Sequence, residues 1–117
     1  MKMDKIEFEK VVKKALETLP EEFAKNLENM EITVEDAPGA GRFKNHILLG
    51  LYQGIPLEKR DNYYAGVLPD KITLFQKNIE AISPSQDEMI EQIQTTLLHE
   101  LGHYFGISDK RLREMGY

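Results

Sequence analysis

The sequence predicts an α+β domain, on three observations. Apolar residues recur at helical spacing near both ends of the chain; three short stretches between them alternate or run apolar, as strands do; and Ser83-Pro84-Ser85-Gln86 opens a long helical stretch that carries two of the three histidines. With 117 residues, 41% hydrophobic and 30% charged, residues 1–117 are expected to form a single domain with one modest core and no separate substrate domain.

Asp4 and Glu7 have the spacing of a capping box, and Phe8, Val11, Val12, Ala15, Leu16 and Leu19 follow at helical intervals. They predict a helix from about Lys5 to Leu19. Pro20 stops it and can open a short second helix, with Glu21 and Glu22 at its positive end and Phe23, Leu27 and Met30 buried. Both segments read as structural. Ile32 to Glu35 alternate apolar and polar, the period of a half-buried strand. Asp36 to Arg42 contains a proline and two glycines and predicts a mobile connection; Gly39 and Gly41 lack the Gly-Lys-Ser/Thr of a phosphate loop. His46, just beyond, reads as a surface or strand-edge residue. Ile47 to Tyr52 is a denser apolar run suited to a strand with both faces partly covered, ended by Gly54 and Pro56. Leu57 to Gly66 reads as a solvated turn with Tyr63 and Tyr64 packed down, or alternatively as a substrate-facing rim. Ile72 and Leu74 alternate with Thr73 and Phe75 in a third strand, whose start Pro69 places at a sheet edge or a bend, since proline has no N–H to donate. Gln76 to Ile82 reads as a connection over the core.

The long helix runs from the Ser83–Glu88 capping signals to about Phe105, and Ser108 can cap a last helix from Asp109 to about Met115. With Ile90 set at 0° and about 100° per residue, Ile93, Leu97, Leu101 and Tyr104 fall within roughly 60° of it, and His99 and His103 near 180° and 220°. The histidines therefore leave the main apolar stripe. They are also one turn apart, so both imidazoles can reach one Zn²⁺ at about 2.0–2.1 Å. Glu100 beside them can take a proton from a water on that ion, the physical content of His-Glu-x-x-His. Gly106 can adopt positive φ, end the helix and fold the chain back, so that Asp109 supplies a third ligand. At this level two readings stand: solvated surface histidines with no metal, or ligands lining a cleft.

The net charge of −5 argues against nucleic acid or an anionic membrane as partner. The absence of cysteine excludes disulfides and thiolate metal sites. No stretch has the apolar core of a signal peptide or the roughly 20 apolar residues of a membrane span, which makes the cytoplasm the expected compartment.

Three separated segments carry a family resemblance: Leu48 to Leu57, Leu68 to Phe75, and His99 to Asp109 followed by Arg111-Leu112 and Glu114-Met115-Gly116. In that order they resemble the small bacterial zincin-like proteins sometimes called minimal metallopeptidases, marked by His-Glu-x-x-His-x-x-Gly-x-x-Asp. The resemblance covers about Leu19 to the C-terminus. It implies a zincin-like α+β fold, a small mixed sheet packed against a long metal-site helix with N- and C-terminal helices, and one zinc ion. His99, His103 and Asp109 match the ligands and Glu100 the general base. The larger metzincins, to which the family is similar, carry a methionine-containing turn well after the third ligand; Met115, in the last predicted helix, is no match for it.

The expected function is a zinc-dependent metallopeptidase acting on a peptide or protein substrate, taken up along a sheet edge by strand addition. Arg60, Tyr63, Tyr64 and His46 are candidates for the oxyanion partner. The alternative is a non-catalytic zinc-binding or protein-interaction module on the same fold. A monomer or small homo-oligomer is expected.

Overall fold

The structure is a computed structural model that describes residues 1–28, 30–38, 48–54 and 70–116. The first helix, α1 (Lys5–Glu17), starts where the capping pattern places it: the Asp4 carboxylate accepts the Glu7 N–H at 2.8 Å. It ends two residues before Leu19, because Thr18 caps it and returns its hydroxyl to the Lys14 carbonyl at 3.1 Å. Helix α2 (Glu21–Leu27) follows Pro20, whose carbonyl accepts the N–H groups of Phe23 and Ala24.

Three strands, β1 (Glu31–Glu35), β2 (Gly50–Gln53) and β3 (Lys71–Phe75), form one mixed sheet in the order β1-β3-β2. β1 pairs with β3 in parallel and β2 pairs with it antiparallel. β3 is thus the central strand, which rules out the edge and leaves the bend of the two placements drawn from Pro69, a residue outside the described ones. Its central position explains why Ile72, Thr73, Leu74 and Phe75 are all buried. β2 begins at Gly50, after Leu48 and Leu49 of the apolar run, and the Leu48 carbonyl is taken by the Asn78 side-chain amide at 2.7 Å instead of by a strand; Ile47 lies outside the described residues. The Asp36–Arg42 connection and the Leu57–Gly66 loop lie largely or wholly outside the described residues.

The segment after β3 is helical, α3 (Gln76–Ala81), where a plain connection was expected. Its buried face is Gln76, Ile79 and Glu80, and two polar residues in that row hide its helical period. They are accommodated by hydrogen bonds: the Gln76 amide donates to Glu80 at 3.1 Å and to the Met3 carbonyl at 2.8 Å.

The long helix α4 (Gln86–Tyr104) takes the later of its two capping frames, with Ser85 Oγ accepting the Glu88 N–H at 3.2 Å. The short α5 (Asp109–Glu114) is capped by Ser108 as expected. α4 packs against α1 and against β2 and β3. Its Met89, Ile93, Leu97 and Leu101 join Phe8, Val12, Ile72 and Leu74 in one core, each side chain contributing about 1.5–3 kcal/mol by burial. Two further rows of α4 are buried that the apolar stripe does not contain. Thr96 and Glu100 are covered on the side where β2 lies, and Gly102 where Leu112 of α5 lies. Among the described residues no helix is long and apolar enough to cross a membrane.

Candidate metal centre

The last turn of α4 and the first of α5 build the site. Phe105 caps α4, and Gly106 follows at φ 80°. The Gly106 N–H returns to the His103 carbonyl and the Ile107 N–H to the Gly102 carbonyl, both at 2.9 Å. This is the Schellman closure, which requires a left-handed residue that glycine supplies without steric cost. The chain reverses, Ser108 opens α5, and Asp109 becomes its first residue. α5 is drawn onto α4 by Leu112, buried to 2% exposure. A Cβ on Gly102 would run into the Leu112 side chain, with Cδ1 at 3.0 Å and Cγ at 3.2 Å. The glycine inside His99-Glu100-Leu101-Gly102-His103 therefore lets α5 approach closely enough to deliver Asp109.

Asp109 Oδ1 lies 3.0 Å from His99 Nε2 and 2.6 Å from His103 Nε2. One carboxylate oxygen thus meets both imidazoles, whose rings stand edge to face at 4.8 Å. The two histidine side chains are 24% and 30% exposed and that of Asp109 60%, so the three donors converge at the rim of the molecule. Glu100, beside the two histidines, is buried, at 5% exposure. A buried carboxylate needs compensation, and Glu100 has it: Oε1 accepts the main-chain N–H of Tyr52 on β2 at 2.8 Å and stands 3.2 Å from His103 Nδ1. Its Oε2 is 3.9 Å from His99 Nε2.

These charges act on each other. The Glu100 carboxylate, partly opposed by burial and aided by Asp109, pushes His103 up from 6.5 to about 9. The two histidines, His103 foremost, hold Asp109 below the usual carboxylate range. A cleft of about 270 Å³ opens beside His99 and Glu100, lined also by Leu48, Leu49 and Gly50 before and within β2 and by Gln92, Thr95 and Thr96 of α4.

The family model described as zincin-like metallopeptidase matches residues 27–117. The chain belongs to that family. No curated protein matches it. The zincin-like assignment agrees with the small mixed sheet and long helix, and it implies a zinc ion. His99, Glu100 and His103 form a group whose ligand atoms all lie within 4.8 Å of one another, close enough to hold a metal.

The residues present fit such an ion. Two imidazole nitrogens and a carboxylate oxygen are a zinc donor set, and tetrahedral bonds of about 2.0–2.1 Å place donors roughly 3.3–3.4 Å apart. The separations of 3.0 and 2.6 Å would open by roughly 0.3–0.8 Å, a movement that the exposed Asp109 side chain can make. The structure thus brings His99, Glu100, His103 and Asp109 together. His46, Arg60, Tyr63 and Tyr64 lie outside the described residues. Sequence reasoning missed three parts: the Tyr52 N–H on Glu100, Gly50 facing α4, and Gly102 facing Leu112. A glycine inside an apolar strand run, as at Gly50, is the signal for a close backbone approach.

Proposed function

We propose that this zincin-like chain is a zinc-dependent peptidase in which His99, His103 and Asp109 hold the ion and Glu100 is the general base. The observation that carries the assignment is the shared Asp109 oxygen between the two Nε2 atoms. Glu100 also lies within metal-binding reach, yet its Oε1 already accepts the Tyr52 N–H, which favours Asp109 over Glu100 as the third ligand. A bound zinc supplies a water of lowered pKa and polarises the substrate carbonyl.

The protein's own groups do the rest. The proximity of Glu100 to His103 Nδ1 favours a proton on that nitrogen and leaves Nε2 as the metal donor. Glu100 Oε2, on the histidine side of the carboxylate, takes the proton of the attacking water and passes it to the leaving amine. The substrate is a peptide or protein segment lying in the cleft between β2 and α4, and residues 1–117 act as one domain.

Glu100→Gln is expected to keep zinc, measured by elemental analysis, and to lose at least about a hundredfold in peptide hydrolysis, the scale of a missing general base. An undiminished rate in that variant would sink the assignment of the base. Wild-type protein that carries zinc but cleaves no peptide in a degenerate library would favour the non-catalytic zinc module instead.

A further inference from the structure

Glu100 is buried, yet a general base must keep one oxygen at the reacting water. The structure divides the two oxygens. Oε1 is engaged by the Tyr52 N–H at 2.8 Å and by His103 Nδ1 at 3.2 Å, and Oε2 is turned to the side of His99 Nε2.

The register of β2 explains why a main-chain N–H is there to engage it. Gly50 pairs with Leu74 and Tyr52 with Ile72, and the Phe75 N–H donates to the Leu49 carbonyl at 2.9 Å. In an antiparallel ladder the hydrogen-bonded pairs alternate. Residues 49, 51 and 53 thus bond to β3, while Gly50 and Tyr52 turn their N–H and C=O to the opposite edge. That edge is the one Glu100 reaches. Gly50 makes the approach possible: a Cβ there would lie 2.5 Å from the Thr96 methyl and 3.7 Å from Glu100 Cγ. The Tyr52 side chain serves elsewhere, its hydroxyl donating to Asp70 at 3.1 Å.

We propose that the main-chain N–H of Tyr52 is a positioning group for the general base, holding Oε1 so that Oε2 alone serves the water. The proposal rests on the peptidase reading for its catalytic consequence, but not for the bond itself. A main-chain donor in a paired strand is more rigid than a side chain, and misplacing a catalytic group by about 1 Å costs on the order of a hundredfold in rate.

Two measurements test it. In metal-free protein, hydrogen exchange by NMR should show the Tyr52 amide protected, and Glu100→Ala should speed its exchange about tenfold or more while Leu51, bonded to β3, keeps its protection. Equal protection of Tyr52 in both proteins, or none in either, overturns the proposal. In zinc-loaded protein, Tyr52→Ala keeps the N–H and Tyr52→Pro removes it without removing a ladder bond to β3. Tyr52→Pro should fall about tenfold or more below Tyr52→Ala in kcat, with KM and zinc content within about twofold. Equal kcat in the two variants overturns the proposal. If Tyr52→Pro does not fold, the exchange measurement decides. A zinc-loaded wild type that hydrolyses nothing strikes the peptidase reading alone, because the exchange result still judges the bond.

Discussion

In the metal-free protein His103 is expected to titrate near pH 9 rather than at 6.5. Glu100 at 3.2 Å from Nδ1 is the main cause, partial burial opposes it, and Asp109 at 2.6 Å from Nε2 adds to it. At pH 7 the ring then carries both protons, and zinc has to displace the one on Nε2. A competing proton weakens metal binding at most about tenfold per pH unit below the ligand's pKa. The ring is 30% exposed, and with solvent screening the loss between pH 9 and pH 7 is roughly thirtyfold. The same contact has the opposite effect on metal-free stability. Its folded pKa lies above the unfolded one, so its contribution is complete below pH 6.5 and disappears as the pH rises through about 9. The melting temperature of metal-free protein should therefore decline across that window, and the increase that zinc produces should grow. An NMR titration of the ring gives the midpoint directly, and Glu100→Gln should lower it by removing the largest cause. Zinc affinity by chelator competition at several pH values gives the linked effect. A ring that titrates at or below 6.5, or an affinity equal at pH 7 and pH 9, would refute the reasoning.

Gly102→Ala places a methyl against Leu112 and should destabilise the fold by about 1–3 kcal/mol as an overpacked contact does; because α5 must shift, zinc affinity should drop about tenfold or more, as read by denaturant unfolding and chelator competition. Gly50→Ala sets its Cβ 2.5 Å from the Thr96 methyl, so a loss of about 1–3 kcal/mol is expected. Thr96→Ser, which deletes that methyl, should recover a measurable part of it in a double-mutant cycle of thermal melts.

What could be read from the sequence was local. The starts of α1, α4 and α5 follow from Asp4, Ser85 and Ser108, each of which accepts an N–H three residues on. The turn that carries Asp109 back to the histidines follows from Gly106, since positive φ at that point has few other occupants. What could not be read depended on partners distant in sequence. α3 was hidden because Gln76 and Glu80 are buried against the main chain of Met3, more than seventy residues away. The burial of Glu100 was hidden because its partner, Tyr52, lies 48 residues earlier. Helical counting places His99 and His103 off the apolar stripe, whereas the cover over Thr96 and Glu100 comes from β2, a strand distant in sequence.

The same division separates holding a metal from using it. The proposed ligands lie within ten residues of one another, on a single helix end, its Schellman turn and the first turn of α5. Closing so short a loop costs little entropy, and the geometry needs only Leu112 seated on Gly102. The proposed base belongs to a longer circuit: its carboxylate is oriented by β2, and β2 is placed by its pairing with β3. Damage to α5 should therefore remove the ion, whereas damage to β2 should leave a loaded but idle centre. On the two proposals together, removing the Tyr52 N–H is expected to cost hydrolysis while zinc stays on an intact His99, His103 and Asp109. Zinc content of α5 variants and kcat of Tyr52 variants should therefore respond independently, the first following Asp109 and the second following the Tyr52–Glu100 bond.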